Sequence, residues 1–383
     1  MDHTGFAVTE EEALVARTAA EIATRRIAPG AAERDRSGRF PTDEIAELGR
    51  LGLLAMKVSE ADGGPGASNV GYVLAMQALA RACASVAVVV ASSNLVAKVL
   101  ADHAVGLQRE RWLSPLVRGE LVPASFALTE PKGGSDAAAV ATRARLDGDT
   151  WVLDGEKSWI TSGSVAAFHL VFARTEGDGK EGISAFVVER GTPGLVVGRD
   201  EEKMGQRASG TSVLAFESCR IPADHLLGRR GAGYGIALSA LGAGRVGIAA
   251  LSLGIAEAAF DAGLAYAKER TVFGRALIEH QNTQFVVADS RTDLDAAWLL
   301  TLRAARALDE GKRAGAETSM AKLFATEACS RVVDRMLQIH GGYGYSKEYP
   351  IERLYRDARV TRIYEGTSEI QRIVIARELS ARA

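Results

Sequence analysis

The hydrophobic period of this 383-residue chain changes twice along its length. It runs helical, then alternating, then helical again, which restricts the fold to a β-unit set between two helical ones. From Thr9 to about Leu121 the pattern is helical. Thr9 and Glu12 form a capping box ahead of Leu14, Ala19 and Ile22, and Pro29-Gly30 is expected to end that helix. A second helix starts after Pro41, Gly63-Gly64-Pro65-Gly66 reads as a loop, and Val70 to Leu100 is helical once more. From about Val122 to Leu227 short β-branched runs alternate with turn residues: Thr150–Leu153, Ala167–Ala173, Ile183–Val188, Leu195–Val197 and Ser212–Phe216. Seven or eight such strands without intervening helices predict a small antiparallel barrel or sandwich. From Tyr234 onward, four or five long segments broken near Gly274, Gly311–Gly315 and Gly341–Gly344 predict a helical bundle. The expected fold class is therefore α+β, with a helical domain over 1–121, a β-domain over 122–229 and a bundle over 230–383.

Charge and cysteine usage narrow the function classes. The net charge of −2 offers no basic excess for nucleic acid or an anionic membrane. Cys83, Cys219 and Cys329 are odd in number and far apart, which argues against a disulfide framework. The six histidines are scattered without metal-ligand spacing, so no metal is expected. Glu10, Glu11 and Glu12 do not suit a transit peptide, and the apolar run Val86–Ala91 is too short to cross a bilayer. The expected setting is the cytoplasm, or an organelle for a mature form.

Five stretches carry chemistry-bearing residues in unusual company. Near the end of the chain Glu365 stands before Gly366, with Thr367 as an N-cap and Ile370, Ile373 and Val374 at helical spacing, so a carboxylate lies just outside a helix mouth. The positive helix end favours its ionised form, and a solvated dipole partner would look the same locally. Thr129-Glu-Pro-Lys-Gly-Gly-Ser-Asp136 bends the backbone so that N–H groups and the hydroxyls of Thr129 and Ser135 can converge on an anionic or heteroaromatic ligand, or simply turn the chain. Trp159 and Thr161 share one side of a strand, where ring and hydroxyl could meet one ligand or a core. Arg270-Thr-Val-Phe-Gly274 and Gln338-Ile-His-Gly-Gly342 interrupt helices with Gly-containing breaks that admit a ligand or only end the helices.

Taken in order, Thr129-Glu-Pro-x-Gly-Gly-Ser-Asp136, Trp159-Ile-Thr161, Arg270-x-x-Phe-Gly274, Gln338-Ile-x-Gly-Gly342 and Ile363-Tyr-Glu-Gly-Thr-Ser-Glu-Ile-Gln-Arg372 resemble the flavin-dependent acyl-CoA dehydrogenases. The likeness covers nearly the whole chain. It implies a homotetramer that binds FAD, oxidises an acyl-CoA thioester to the trans-2-enoyl thioester and passes electrons to electron transfer flavoprotein. By resemblance, Phe126, Leu128, Thr129, Ser135, Trp159, Ile160 and Thr161 contact the flavin side of the cofactor. Arg270, Phe273, Gln281, Gln338, Gly341 and Gly342 would reach FAD of the neighbouring subunit, and Thr367 and Glu369 would contact it after the catalytic turn. Ser135, Tyr364, Gly366 and Arg245 are the expected substrate contacts.

The family supplies its base from either of two positions. Glu365 occupies one and Gly244 the other, so Glu365 alone can serve, as in the short-, medium- and short branched-chain members. No basic residue lies in Ala84–Leu95, which disfavours a dicarboxylic substrate by comparison with glutaryl-type members. Dehydrogenation of a carrier-protein thioester, an oxidase on the same scaffold, and a non-catalytic flavoprotein retained for assembly or nucleic-acid binding are the other readings.

Overall fold

The structure, a computed structural model, describes residues 6–381, so the outermost positions of the first and last expected domains lie outside it. The N-terminal part contains α1 (Glu10–Ile22), α2 (Ala31–Ser37), α3 (Thr42–Arg50), α4 (Asn69–Ala82), α5 (Ala84–His103) and the short α6 (Ser114–Val117). The Thr9–Glu12 capping box forms with both reciprocal bonds. Glu12 also accepts from Ser68, the N-cap of α4, and from Arg306, so one cap ties three helices together. Two sequence expectations shift here. Pro29 does not end helical structure: α1 stops at Ile22, and Pro29 sits in the first turn of a short 3-10 segment, where its missing N–H is not needed. The Val70–Leu100 stretch is two helices divided at Cys83, whose backbone is extended.

The central part is a sheet of β1 (Ala124–Ala127), β2 (Arg143–Asp147), β3 (Thr150–Thr161), β4 (Phe168–Arg174), β5 (Ile183–Glu189), β6 (Leu195–Asp200), β7 (Thr211–Pro222) and β8 (Leu226–Leu227). The pairing order is β6-β7-β3-β2-β4-β5-β8, with β1 added to β4. Most pairs are antiparallel. The β1–β4 pair is parallel, as is the single contact between β2 and β4, so the sheet is mixed where it meets the N-terminal helices. Phe168, Leu170 and Phe172 face a core shared with α5, whereas Val171 and Phe186 face one internal to the sheet. This alternation follows from the period of two in a strand.

The C-terminal part holds α7 (Gly233–Glu269), a hairpin of β9 (Thr271–Val272) and β10 (Arg275–Ala276), then α8 (Gln281–Asp309), α9 (Gly315–His340), α10 (Pro350–Arg359) and α11 (Ser368–Ser380). The five helices match the expected bundle. Its core is continuous with that of α1, α4 and α5, so the two helical parts bury one another. Two helices, Ala84–His103 and Gly233–Glu269, are long and apolar enough to cross a membrane, with mean hydropathy 1.8 and 1.7. Counting only the unbroken apolar run understates α5, but the most apolar windows of these helices are 89% and 67% buried by other elements of the chain.

Candidate functional site

The turn between α10 and α11 presents Glu365 in the left-handed backbone region, at φ 51°, followed by Gly366 at φ 92°. Non-glycine residues adopt that conformation rarely, so neighbouring contacts must hold it. Thr367 caps α11, its hydroxyl accepting from the N–H of Ile370. Gly366 O accepts from Lys322 Nζ at 2.7 Å and from Gln371 Nε2 at 2.8 Å, and Gln371 also reaches Glu365 O at 3.3 Å. Tyr364 is fixed through its hydroxyl, which meets Gln206 Nε2 at 3.3 Å. Gln206 is itself left-handed, at φ 47°, and its N–H and side chain bind Asp357 of α10.

Glu365 keeps some exposed surface as a residue, yet its Oε2 is shielded from solvent and has no hydrogen-bond partner. Burial pushes the carboxyl up to about 7, opposed in turn by the charges of Lys322, Arg245 and Lys57. Desolvation therefore outweighs the helix-end effect anticipated from the sequence. Gly244 of α7 lies against the carboxylate: a Cβ there would stand 3.0 Å from Glu365 Oε2 and 3.1 Å from Leu95 Cδ1. One turn on, Gly247 leaves room for Tyr72, whose ring carries Lys57 Nζ at 4.7 Å from its centroid. Arg245 is buried, its Nη1 donating to Ser319 Oγ at 3.0 Å, and it bears electrostatically on Glu365.

The Thr129–Asp136 and Trp159–Thr161 motifs, thirty residues apart, meet on the sheet. Ser158 N donates to Thr129 O at 2.9 Å. Beneath them Lys157, 0% exposed, pairs with Glu130 at 2.6 Å and reaches Leu128 O, while Glu130 accepts the N–H groups of Ala141 and Thr142. Phe126 packs on Phe172, Leu128 is buried and Ser135 is exposed. The strand rule that put Trp159 and Thr161 on one face is interrupted. The β3–β7 register shifts between Lys157 and Ile160, and Trp159 takes φ 60°, which leaves its indole 62% exposed. Ile160 and Thr161 resume pairing with β7, opposite Ser212 and Thr211.

Arg270, Gly341 and Gly342 line an open hollow of 570 Å³ together with Tyr266 and Tyr343. The Arg270 guanidinium lies over the Tyr343 ring at 5.7 Å. Phe273 projects from the β9–β10 hairpin and is 97% exposed, and Gln281 and Gln338 are also exposed. This group sits at the far end of α7 from Gly244, about 39 Å along the helix axis, so one chain does not bring it to Glu365. Glu369 is at the surface of the first turn of α11.

Lys322, Gln371, Gln206, Asp357, Lys157 and Glu130 escaped the sequence reading as site residues. A faint signal existed for one of them, since Lys322 is a lone charge in the apolar Met320-Ala-Lys-Leu-Phe324 stretch of a helix.

Three family signatures match the chain in succession: the acyl-CoA dehydrogenase N-terminal domain over residues 9–120, the middle domain over 125–219 and the C-terminal domain over 231–380. The mitochondrial short-chain specific acyl-CoA dehydrogenase of Mus musculus is 45% identical over 372 residues, 97% of this chain and 90% of the relative. The butyryl-CoA dehydrogenase structure from Megasphaera elsdenii superposes with a TM-score of 0.95 at 38% identity, covering 99% of this chain and 100% of that one. A chain solved in work on the electron transferring flavoprotein of Acidaminococcus fermentans superposes equally well, with a TM-score of 0.95 at 39% identity and 99% of each chain covered. With all three signatures in order and relatives this similar over nearly their full length, the chain belongs to the acyl-CoA dehydrogenase family and is an oxidoreductase of that class.

Proposed function

We propose that this protein introduces a trans α,β double bond into short acyl-CoA thioesters, with Glu365 as the base that takes the α-proton. The observation that carries the reading is the state of the Glu365 carboxylate: a shielded, unpartnered oxygen, held near 7, beside a helix face without a side chain at Gly244. A base poised near neutral pH combines proton affinity with adequate ionisation. A carboxylate already satisfied by hydrogen bonds would have to break them first. The N–H of Glu365 has no acceptor among the described residues, so it is free to stabilise charge developing on the thioester oxygen. Losing one such donor typically costs about 3 kcal/mol.

Several features fit FAD. Trp159 offers a flat exposed indole, and side-chain carbons on Gly133, Gly341 or Gly342 would meet nothing within 4 Å, so the backbone there is open to a ligand. Phe126, Leu128, Thr129, Ser135, Trp159, Ile160 and Thr161 would hold the ring end, with Thr367 and Glu369 beyond the catalytic turn. Bound there, FAD would supply the acceptor for the β-hydride. Arg270, Phe273, Gln281, Gln338, Gly341 and Gly342 lie beyond the far end of α7 or on elements outside it, away from Glu365, so a second copy would contribute them, in keeping with a homotetramer. Tyr364, Gly366, Ser135 and Arg245 would border the substrate, Arg245 by its charge on the base side rather than from an open mouth.

A short acyl chain is favoured by the mouse and Megasphaera relatives, and Leu95 and Tyr72 occupy the space beside Gly244 and Gly247. Electron transfer flavoprotein is the proposed acceptor, and the cytoplasm or a mitochondrial matrix the proposed setting. The test is an anaerobic panel of straight and branched acyl-CoA thioesters from C4 to C16, scored by loss of flavin absorbance, with the Glu365→Gln variant alongside. The C4 substrate should bleach the wild type fastest and leave the variant oxidised. Bleaching of the variant at the wild-type rate would remove Glu365 from the mechanism.

A further inference from the structure

We propose that Lys322 is a positioning residue for the base: its buried ammonium and Gln371 together pin the Gly366 carbonyl, which fixes the Glu365 carboxylate and keeps a compensating positive charge beside it without occupying its oxygens. The inference rests on Glu365 being the base.

The geometry is specific. Lys322 lies on α9 and is 0% exposed, and its one hydrogen bond among the described residues goes to Gly366 O. A buried ammonium needs an anion. The acidic groups that bear on it are Glu365, Glu327 and Glu369. Glu327 is already engaged by Arg362 at 2.9 Å and Ser368 at 2.7 Å, and Glu369 is exposed on α11. That leaves the free oxygen of Glu365 as the uncommitted negative partner.

A direct ion pair would hold the carboxylate too well for it to accept a carbon-bound proton. A cation that binds the neighbouring Gly366 carbonyl instead of the carboxylate avoids that. The peptide restrains Glu365 in its left-handed conformation, while the charge acts through space. The remaining charged groups facing Glu365 are Arg245 from α7 and Lys57 from the loop after α3, with the Tyr72 and Tyr364 hydroxyls both held protonated by burial. Arg245 is anchored on Ser319, one turn before Lys322 on α9. Three cations thus bear on the base, and Lys322 and Arg245 are each tethered to something other than the base. Removing the Lys322 charge leaves desolvation less opposed, so the proton is held more tightly. Removing Gln371 loosens the peptide without altering the charge.

The experiment uses flavin-loaded Lys322→Gln, Lys322→Met and Gln371→Leu proteins with butyryl-CoA, reading the pH dependence of anaerobic flavin bleaching. Both Lys322 variants should shift the acid limb upward by about one pH unit or more. Gln371→Leu should lower the rate about tenfold at every pH and leave the limb in place. A Lys322→Gln limb coincident with wild type overturns the proposal. A readout independent of turnover, and of whether the Lys322 and Gln371 variants fold, is the infrared carbonyl band of protonated Glu365 in the wild-type protein, assigned by its loss in Glu365→Gln. Its midpoint should lie near 7. A midpoint of about 9, as for an isolated buried carboxyl, would show that no cation acts on it and would also overturn the proposal. Should Glu365→Gln itself bleach normally, the base assignment fails instead, so the two failures are distinct.

Discussion

Gly244 of α7 faces the Glu365 carboxylate so closely that its missing Cβ would stand 3.0 Å from Oε2. The two positions that the resemblance marks as alternative sites for a base, remote in sequence, are therefore neighbours across one small gap. Gly244→Ala should push the carboxylate and the Leu95 side chain each aside by a few tenths of an ångström and lower the bleaching rate by about threefold to tenfold, given that a 1 Å misplacement can cost about a hundredfold. Gly247→Ala meets the Tyr72 hydroxyl at 2.5 Å instead. It should destabilise the protein by about 1–3 kcal/mol in denaturant unfolding through overpacking. Comparing rate and unfolding for the two variants separates the catalytic gap from the structural one.

The raised pKa of Glu365 links activity to stability. Its carboxyl moves from an ordinary 4.5 to about 7 on folding. Between those values the folded protein keeps a proton that the unfolded chain has released, so the group's favourable contribution is complete below 4.5 and is lost as pH rises through 7. The loss amounts to about 3 kcal/mol. Glu365→Gln should therefore raise Tm by about 4 °C at pH 8 and leave it almost unchanged at pH 4.5, measured calorimetrically without substrate. Wild-type kcat/KM should rise with pH through the same region, as the base form appears.

Lys157 and Glu130 anchor the loop that carries Ser135 to the strand that carries Trp159. Burial lowers the Lys157 ammonium to about 8, countered by Glu130, and the Glu130 carboxyl stays below its usual range despite its own burial because Lys157 and two backbone N–H groups hold its charge. Removing one member leaves the other charged in a dry site. Lys157→Met should cost about 3–5 kcal/mol in urea unfolding. Because Glu130 loses its cation but keeps its two backbone donors, the loop should loosen rather than unfold, and FAD affinity should fall with stability in parallel titrations.

The parts of this site that were legible in the sequence are those built from local chemistry. Thr367 as an N-cap, the glycine after Glu365, the capping box at Thr9 and Glu12, and the five C-terminal helices all follow from residues within one or two turns of each other. What escaped depends on pairing between distant elements. Periodicity tells which face of α9 is apolar, but Lys322 sits on that buried face because Gly366, 44 residues later, supplies a carbonyl. The parallel β1–β4 pair and the bulge at Trp159 likewise reflect register, which alternating hydrophobicity leaves open when both faces of the strands are covered. The division at Cys83 has no Gly or Pro to announce it. The two halves have different partners, distant in sequence: α4 packs on α1 and α7, and α5 packs on α7 and β1.

Trp159 combines two properties that rarely serve stability: a left-handed backbone at φ 60° and an indole 62% exposed. A non-glycine residue there is strained by about 1–2 kcal/mol, and an exposed ring recovers little of that through burial. Trp159→Gly should relieve the strain, so the FAD-free protein should unfold at an equal or higher urea concentration than wild type. Its affinity for FAD, followed by quenching of flavin fluorescence, should drop at least about tenfold, because one stacked aromatic is worth about 1–3 kcal/mol against a planar heterocycle. A core tryptophan would behave oppositely, losing about 3–5 kcal/mol of stability on truncation with ligand affinity intact. The pair of measurements therefore decides whether this residue is retained for the ligand or for the fold.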